Sequence, residues 1–220
     1  GSEMCIRDRV TGNMHGLEYE YTSVSSVTVQ PGICMDSLNE TVLQLSTQQV
    51  VTIPSVINTV YNLFLTDDAE TIKVDTDVNG AGLPVGDKRR WIGFVLTDAS
   101  GNIVEFSQDG DSMLFDGDPN NTLFASQPIS NTTRVQVDFS PLIPVARCSE
   151  IYASSHDGTE PAIIRWSKTE TSAQFAYTSN VDTVQGGGAP QLVRQGYWYV
   201  ATNNANNGGF MFVLRVKLKR

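Results

Sequence analysis

The stretch Pro84–Gly110, PVGDKRRWIGFVLTDASGNIVEFSQDG, decides the fold class. From Arg90 to Thr97 the residues Ile92, Phe94 and Leu96 alternate with Trp91, Gly93, Val95 and Thr97. Successive strand residues point to opposite faces, so this run predicts a strand with one face buried and the other half-exposed. Asp98-Ala-Ser-Gly-Asn102 carries turn chemistry, because Asp and Asn bond to local backbone and Gly101 tolerates positive φ. Ile103 to Phe106 returns apolar. The reading is a β-hairpin.

Working outward, the same signals recur along the chain. Val42, Leu43 and Leu45, then Val50, Val51 and Ile53, predict two short strands split by Ser46 to Gln49. Val56 to Leu65 and Ile72 to Val78 predict two more, and Asn79 to Pro84 a loop. Further strands are expected at Val135 to Phe139, Ile143 to Tyr152, Ala162 to Trp166, Gln174 to Tyr177, Gly196 to Ala201 and Phe210 to Leu218. The last two flank Thr202 to Gly209, an Asn- and Gly-rich loop that suits a hairpin. Phe210, Phe212 and Leu214 fall on one face of the final strand, with Arg215, Lys217 and Lys219 on the other. They are expected to share a core with Ile92, Phe94 and Leu96, since a one-residue slip would expose each apolar set. Short strands with turn signals between them predict an all-β protein, an antiparallel β-sandwich of jelly-roll-like form.

Composition agrees. Charged residues make up 18% of the 220, and the chain is rich in Thr, Ser, Asn, Val and Gly, which favours strands and turns over helices. A formal charge of −9 argues against a nucleic-acid binder, which needs a basic surface. No run approaches the roughly 18 apolar residues of a membrane-spanning helix. The three cysteines, Cys5, Cys34 and Cys148, form neither a disulfide framework nor a zinc pattern with His15 and His156. A Cys34–Cys148 bridge is one reading, but two separate, reduced, partly buried thiols are the simpler expectation.

Four segments stand out, taken in order. The first is Val27-x-Val29-x-x-Gly32-x-x-x-Asp36-Ser37. The second is the strand Thr59-Val-Tyr-Asn-Leu-Phe-Leu65. The third runs from Leu83-Pro-Val-Gly86 through Lys88-Arg-Arg90 to Thr97-Asp-Ala-Ser-Gly-Asn102, and the fourth is Val137-Asp-Phe-Ser-Pro-Leu-Ile-Pro144. Together they resemble a family of tailed-phage virion structural proteins of the tail-fibre and appendage kind, whose paired Tyr in the second segment is reduced here to Tyr61. The likeness spans about Val24 to Pro144. It implies a virion location, assembly with copies of itself (homotrimers are common in such families) and with neighbouring virion proteins, and no catalytic residues. Ser2-Glu-Met-Cys-Ile-Arg-Asp-Arg9 resembles translated sequencing adapter at the ends of gene models from environmental assemblies. Residues 1–14 are therefore set aside as a leader, and 15–220 are read as one β-sandwich domain with a sub-boundary near 144.

Three places could carry chemistry. Asp109, Asp111, Asp116 and Asp118 sit in a turn-rich acidic stretch, 109–121, able to wrap a Ca2+ ion through oxygen ligands. Met113 and Phe115 break the EF-hand spacing, which favours a solvated turn and no cofactor. Cys148 with His156-Asp157 has the residue types of a thiol nucleophile and its base, but His156-Asp-Gly158 reads more simply as a turn. Trp91, Trp166 and Tyr197-Trp198-Tyr199 could stack on a host glycan, with Asn203 and Asn204 at the adjoining loop supplying polar recognition. Most of these rings are expected in the core. The named ligand-binding candidates are therefore Trp198, Tyr199, Asn203 and Asn204. The sequons at Asn39, Asn120 and Asn131 matter only in a secretory context. The function expected is a non-enzymatic virion component, ahead of a carbohydrate-binding adhesion module and, further behind, a polysaccharide depolymerase needing paired carboxylates.

Overall fold

The computed structural model describes residues 14–68, 70–115, 124–125, 135–138, 143–157, 162–167, 177–181, 191–192, 197–202 and 209–220. The fold is all-β, built of antiparallel sheets; among the described residues the only helical element is a single 3-10 turn, Val145–Arg147. The chain divides into two compact units. One ends at Met113 and takes back Leu218–Arg220; the other is Leu114–Lys217.

The first unit contains β1 (His15–Gly16), β2 (Tyr19–Ser23), β3 (Ser26–Val29), β4 (Gly32–Met35), β5 (Val42–Leu45), β6 (Gln49–Thr52), β7 (Val60–Thr66), β8 (Ile72–Asp75), β9 (Arg89–Leu96) and β10 (Phe106–Asp109). β1 to β9 form three three-stranded sheets in the orders β1-β4-β5, β2-β3-β6 and β8-β7-β9, and β10 lies in none of them. β11 (Ser112–Phe115) follows β10 directly. It occupies the middle of what the sequence predicts to be an acidic loop, because Met113 and Phe115 are buried and so take alternate inward positions.

The third sheet departs from the predicted pattern in two ways. Every residue from Tyr61 to Thr66 and from Trp91 to Leu96 is buried, so this sheet is covered on both faces where a half-exposed one was expected. Leu63 pairs with Gly93 and Phe64 with Trp91, which leaves Ile92 as an extra residue in β9. That bulge moves Trp91 to the face of Phe94 and Leu96, against simple alternation. Asn62, the one amide in the strand, is satisfied on both sides: Trp91 Nε1 donates to its Oδ1 at 3.0 Å, and its Nδ2 donates to the Thr76 carbonyl at 3.2 Å.

The expected hairpin survives only as its turn. Asp98 Oδ1 accepts from the backbone N–H of Ser100 (2.7 Å) and Asn102 (2.9 Å), as Asp in a turn should. Beyond it, the ladder amounts to the Thr97–Ile103 bridge and the Val104 N–H bonded to the Leu96 carbonyl. The true partner of β9 is β7.

Side chains also bridge strand edges. Gln108 Oε1 accepts from the Tyr19 N–H at 2.8 Å, tying β10 to β2. Gln49 Oε1 accepts from the Ile72 N–H at 2.9 Å, tying β6 to β8. Each supplies one hydrogen bond of the kind a neighbouring strand would supply, so a buried backbone group is not left unpaired.

The second unit contains β12 (Phe124–Ala125), β13 (Val135–Asp138), β14 (Cys148–Asp157), β15 (Ala162–Ser167), β16 (Tyr177–Val181), β17 (Gln191–Leu192), β18 (Tyr197–Thr202) and most of β19 (Gly209–Leu218). One sheet has the order β13-β18-β15-β16. β12 pairs with β19, and β14 pairs with β17. β18 and β19 therefore belong to different sheets, and the predicted terminal hairpin does not form: β18 takes β13 and β15 as partners instead. Along the end of β19 the predicted register holds, with Val216 and Leu218 buried and Lys217 and Lys219 exposed. The side chains of Phe210, Phe212 and Leu214, and hence their share in a common core, lie outside the described residues.

Candidate functional site

Asp109 and Asp111 are exposed at the turn after β10, while Asp116 and Asp118 lie outside the described residues. Among the described residues no group of three or more His, Cys, Asp or Glu is placed to hold a metal ion. Trp198 and Tyr199 are in β18, a strand paired on both edges, opposite Val137 and Gln136 of β13. Their side chains, and Asn203 and Asn204 entirely, lie outside the described residues. Trp91 is buried with its indole N–H satisfied by Asn62, so it is core and not a sugar platform.

Cys148 and His156 do not form a turn-assembled pair. Both lie in β14, where eight residues of extended chain separate their backbones by about 27 Å. His156-Asp157 ends this strand, and Gly158, which completes the predicted turn, lies outside the described residues. Cys34 and Cys148 are both buried and are not joined as a disulfide.

What the first unit does present is the loop between β8 and β9. Its root is fixed by the chain of contacts Trp91–Asn62–Thr76. Asp75 then folds the loop back on itself: its Oδ1 accepts from the Asp77 N–H at 3.0 Å and its Oδ2 from the Gly82 N–H at 2.6 Å. Asp77 repeats the device, with Oδ1 accepting from Asn79 N–H (2.7 Å) and Ala81 N–H (3.3 Å). Its carbonyl takes the Gly80 N–H, and the Gly80 carbonyl takes the Leu83 N–H, both at 3.0 Å. Leu83 is buried and anchors the far side. Asp87 closes the loop through Lys73 Nζ at 2.9 Å; Lys73 also reaches Asp68 at 2.7 Å. The hydrogen bonds that Lys73 donates to Asp68 and then to Asp87 hold its pKa above the ordinary value.

Between those anchors Pro84, Val85 and Gly86 stand in solvent, and Val85 is fully exposed. The loop is thus rigid at its base and bare at its tip. In sequence this segment reads as a plain connection. It nevertheless carries Asp75-x-Asp77-x-Asn79-Gly80, the first six positions of an EF-hand loop, with Gly80 at φ +71 where that loop turns sharply. The twelfth position, a bidentate Glu in an EF-hand, is Gly86 here. The carboxylates of Asp75 and Asp77 organise backbone N–H groups instead.

Three of the four segments that carry the resemblance, 27–37, 59–65 and 83–102, lie in this unit, and the fourth, 137–144, belongs to the other. Val27 and Val29 are fully buried, Asp36 is buried with its Oδ1 accepting from Glu40 N–H (2.7 Å) and Thr41 N–H (3.3 Å), and Ser37 donates from both N–H and Oγ to the Arg89 carbonyl. β7 and β9 pair directly, and Thr97 Oγ1 accepts from the Thr59 N–H at 2.9 Å. These positions serve packing and backbone satisfaction. No protein-family model matches the chain, and neither a curated protein nor a solved structure matches it.

Proposed function

We propose that this chain is a non-enzymatic structural component of a tailed-phage virion, of the tail-fibre or appendage kind, which assembles through contacts that include the tip Pro84-Val85-Gly86. The observation that carries the reading is a fully exposed Val85 on a loop pinned by Asp75, Asp77, Leu83 and the Lys73–Asp87 pair. Single exposed apolar side chains are ordinary on protein surfaces. One held on a rigid loop is different, because little conformational entropy remains to be lost when a partner covers it. The same tip is part of the Leu83-Pro-Val-Gly86 segment that carries the resemblance. A second copy of the chain is the partner the resemblance implies.

Light scattering on the full chain over a concentration series tests this. The parent is expected to form a defined oligomer, and Val85→Glu to weaken it while leaving the folded state intact. A parent that stays monomeric at high concentration, or a Val85→Glu variant that assembles as well as the parent, overturns the proposal. Genes flanking the coding sequence provide a separate check on the virion assignment: tail or capsid genes are expected beside it.

A further inference from the structure

The segment Leu218–Arg220 returns to the first unit after the whole of Leu114–Lys217. The Leu218 N–H bonds to the Asp111 carbonyl at 2.8 Å. Two residues on, the Arg220 guanidinium is enclosed by backbone carbonyls: Nη2 donates to Leu17 at 2.6 Å and Gly16 at 3.3 Å, and Nη1 to Gly110 at 3.2 Å. All three accepting residues lie in the left-handed region, with φ of +70 at Gly16, +59 at Leu17 and +55 at Gly110. For the two glycines this conformation is cheap, but for Leu17 it is strained, and such strain persists only where surrounding contacts over-determine it. Leu17 is fully buried. Arg220 Nε is also buried and finds no partner among the described residues. Burial lowers the Arg220 pKa, while the nearby Tyr19, Asp111 and Glu18 pull the other way.

We propose that the carbonyls of Gly16, Leu17 and Gly110 form a guanidinium receptor, and that Arg220 seated in it is a releasable clasp holding the returning segment Leu218–Arg220 in the first unit. The planar fork of a guanidinium reaches several acceptors at fixed angles, which an ammonium does not, so the site discriminates between the two cations. The left-handed turn at Gly16–Leu17 aims two successive carbonyls at one cation. Release of the clasp frees the Leu218 amide and lets Leu17 relax.

The test uses the full chain with Arg220→Ala and Arg220→Lys, read by amide hydrogen exchange. In Arg220→Ala the Leu218 and Leu17 amides are expected to lose protection by roughly tenfold or more, as a local opening does. Amides of the β15–β18 ladder in the second unit stay as protected as in the parent. Methylguanidinium at millimolar concentration, well below denaturing levels, restores protection in Arg220→Ala, and methylammonium does not. Arg220→Lys falls between the parent and Arg220→Ala. Unchanged Leu218 protection in Arg220→Ala, equal loss across the β15–β18 ladder, or failure of methylguanidinium to rescue would each overturn the proposal.

Discussion

The hydroxyl of Tyr19 bonds to both backbone polar groups of Phe94, accepting from its N–H at 2.9 Å and donating to its C=O at 2.9 Å. The two residues are 75 positions apart. Among the described residues β9 pairs with β7 alone, and Phe94 turns its N–H and C=O to the other side, toward Tyr19. One phenol takes that place. Its oxygen also lies 3.0 Å from Met113 Sδ, and its ring meets Phe106 edge-on at 5.4 Å between centroids.

Tyr19→Phe removes the hydroxyl to which this buried N–H and C=O both bond. A buried unsatisfied group costs about 1–3 kcal/mol, so the urea midpoint is expected to fall by that much at unchanged m-value. A loss below a few tenths of a kcal/mol would show that water replaces the phenol there.

Gly93 faces the same ring. A Cβ built on it overlaps the Tyr19 hydroxyl and ring carbons, and the position tolerates only hydrogen. Gly93→Ala is expected to destabilise by about 1–3 kcal/mol through overpacking. Combined with Tyr19→Ala the penalty shrinks, because the two changes share one contact. Strict additivity in a double-mutant cycle would rule that contact out.

Thr97 is almost wholly buried, and its Oγ1 accepts the Thr59 N–H while donating to the Val56 carbonyl. Thr97→Val keeps the shape and removes the oxygen. The cost is expected at about 1–3 kcal/mol, larger than for Thr97→Ser, which keeps the hydroxyl. Equal stability of the Val and Ser variants would contradict this account.

Burial pushes the Cys34 thiol from its ordinary 9.0 up to about 12, against the pull of Arg90 and Arg220. The folded chain thus holds this proton more tightly than the unfolded chain does. The stabilisation is complete below pH 9 and is lost as pH rises through the window from 9 to about 12, by at most about 1.4 kcal/mol per pH unit. Cys34→Ala is expected to flatten the parent's alkaline stability curve over that window. At pH 8 a thiol reagent should label Cys34 only after unfolding; rapid labelling of the native protein would refute its burial.

The fold class was legible because it rests on local signals: alternation in Arg90–Thr97, Asp and Gly at turns, few charges. Partner choice was not. Alternation marks a strand without saying what lies beside it, so the segments 90–97 and 103–106 read as a ladder although β9 pairs with β7, and β18 and β19 read as a hairpin although each joins another sheet. The bulge at Ile92 leaves no mark in sequence, since the residue there is as apolar as its neighbours, yet it sets which face Trp91 takes. Met113 and Phe115 hid β11 because Asp and Gly surround them. The tip at Val85 was written in plain sight, but only the hydrogen bonds of Asp75 and Asp77 distinguish a rigid display from a slack connection. The carbonyl site of Arg220 depends on three φ values and on residues more than 200 positions apart, which no window of sequence contains.

The late return of Leu218–Arg220 also sets an order of events on the ribosome. The first 113 residues emerge early, but the segment that bonds Asp111 and fills the cage at Gly16 and Leu17 is made only after the 104 residues Leu114–Lys217. At typical translation speeds that is a delay of about 5–20 s, during which the nascent first unit stands open. Arrested chains that end before residue 218 should be cut by protease in the first unit where released full-length chains resist. The second unit, whose strands all precede that point except the end of β19, has the opportunity to fold while the first one waits.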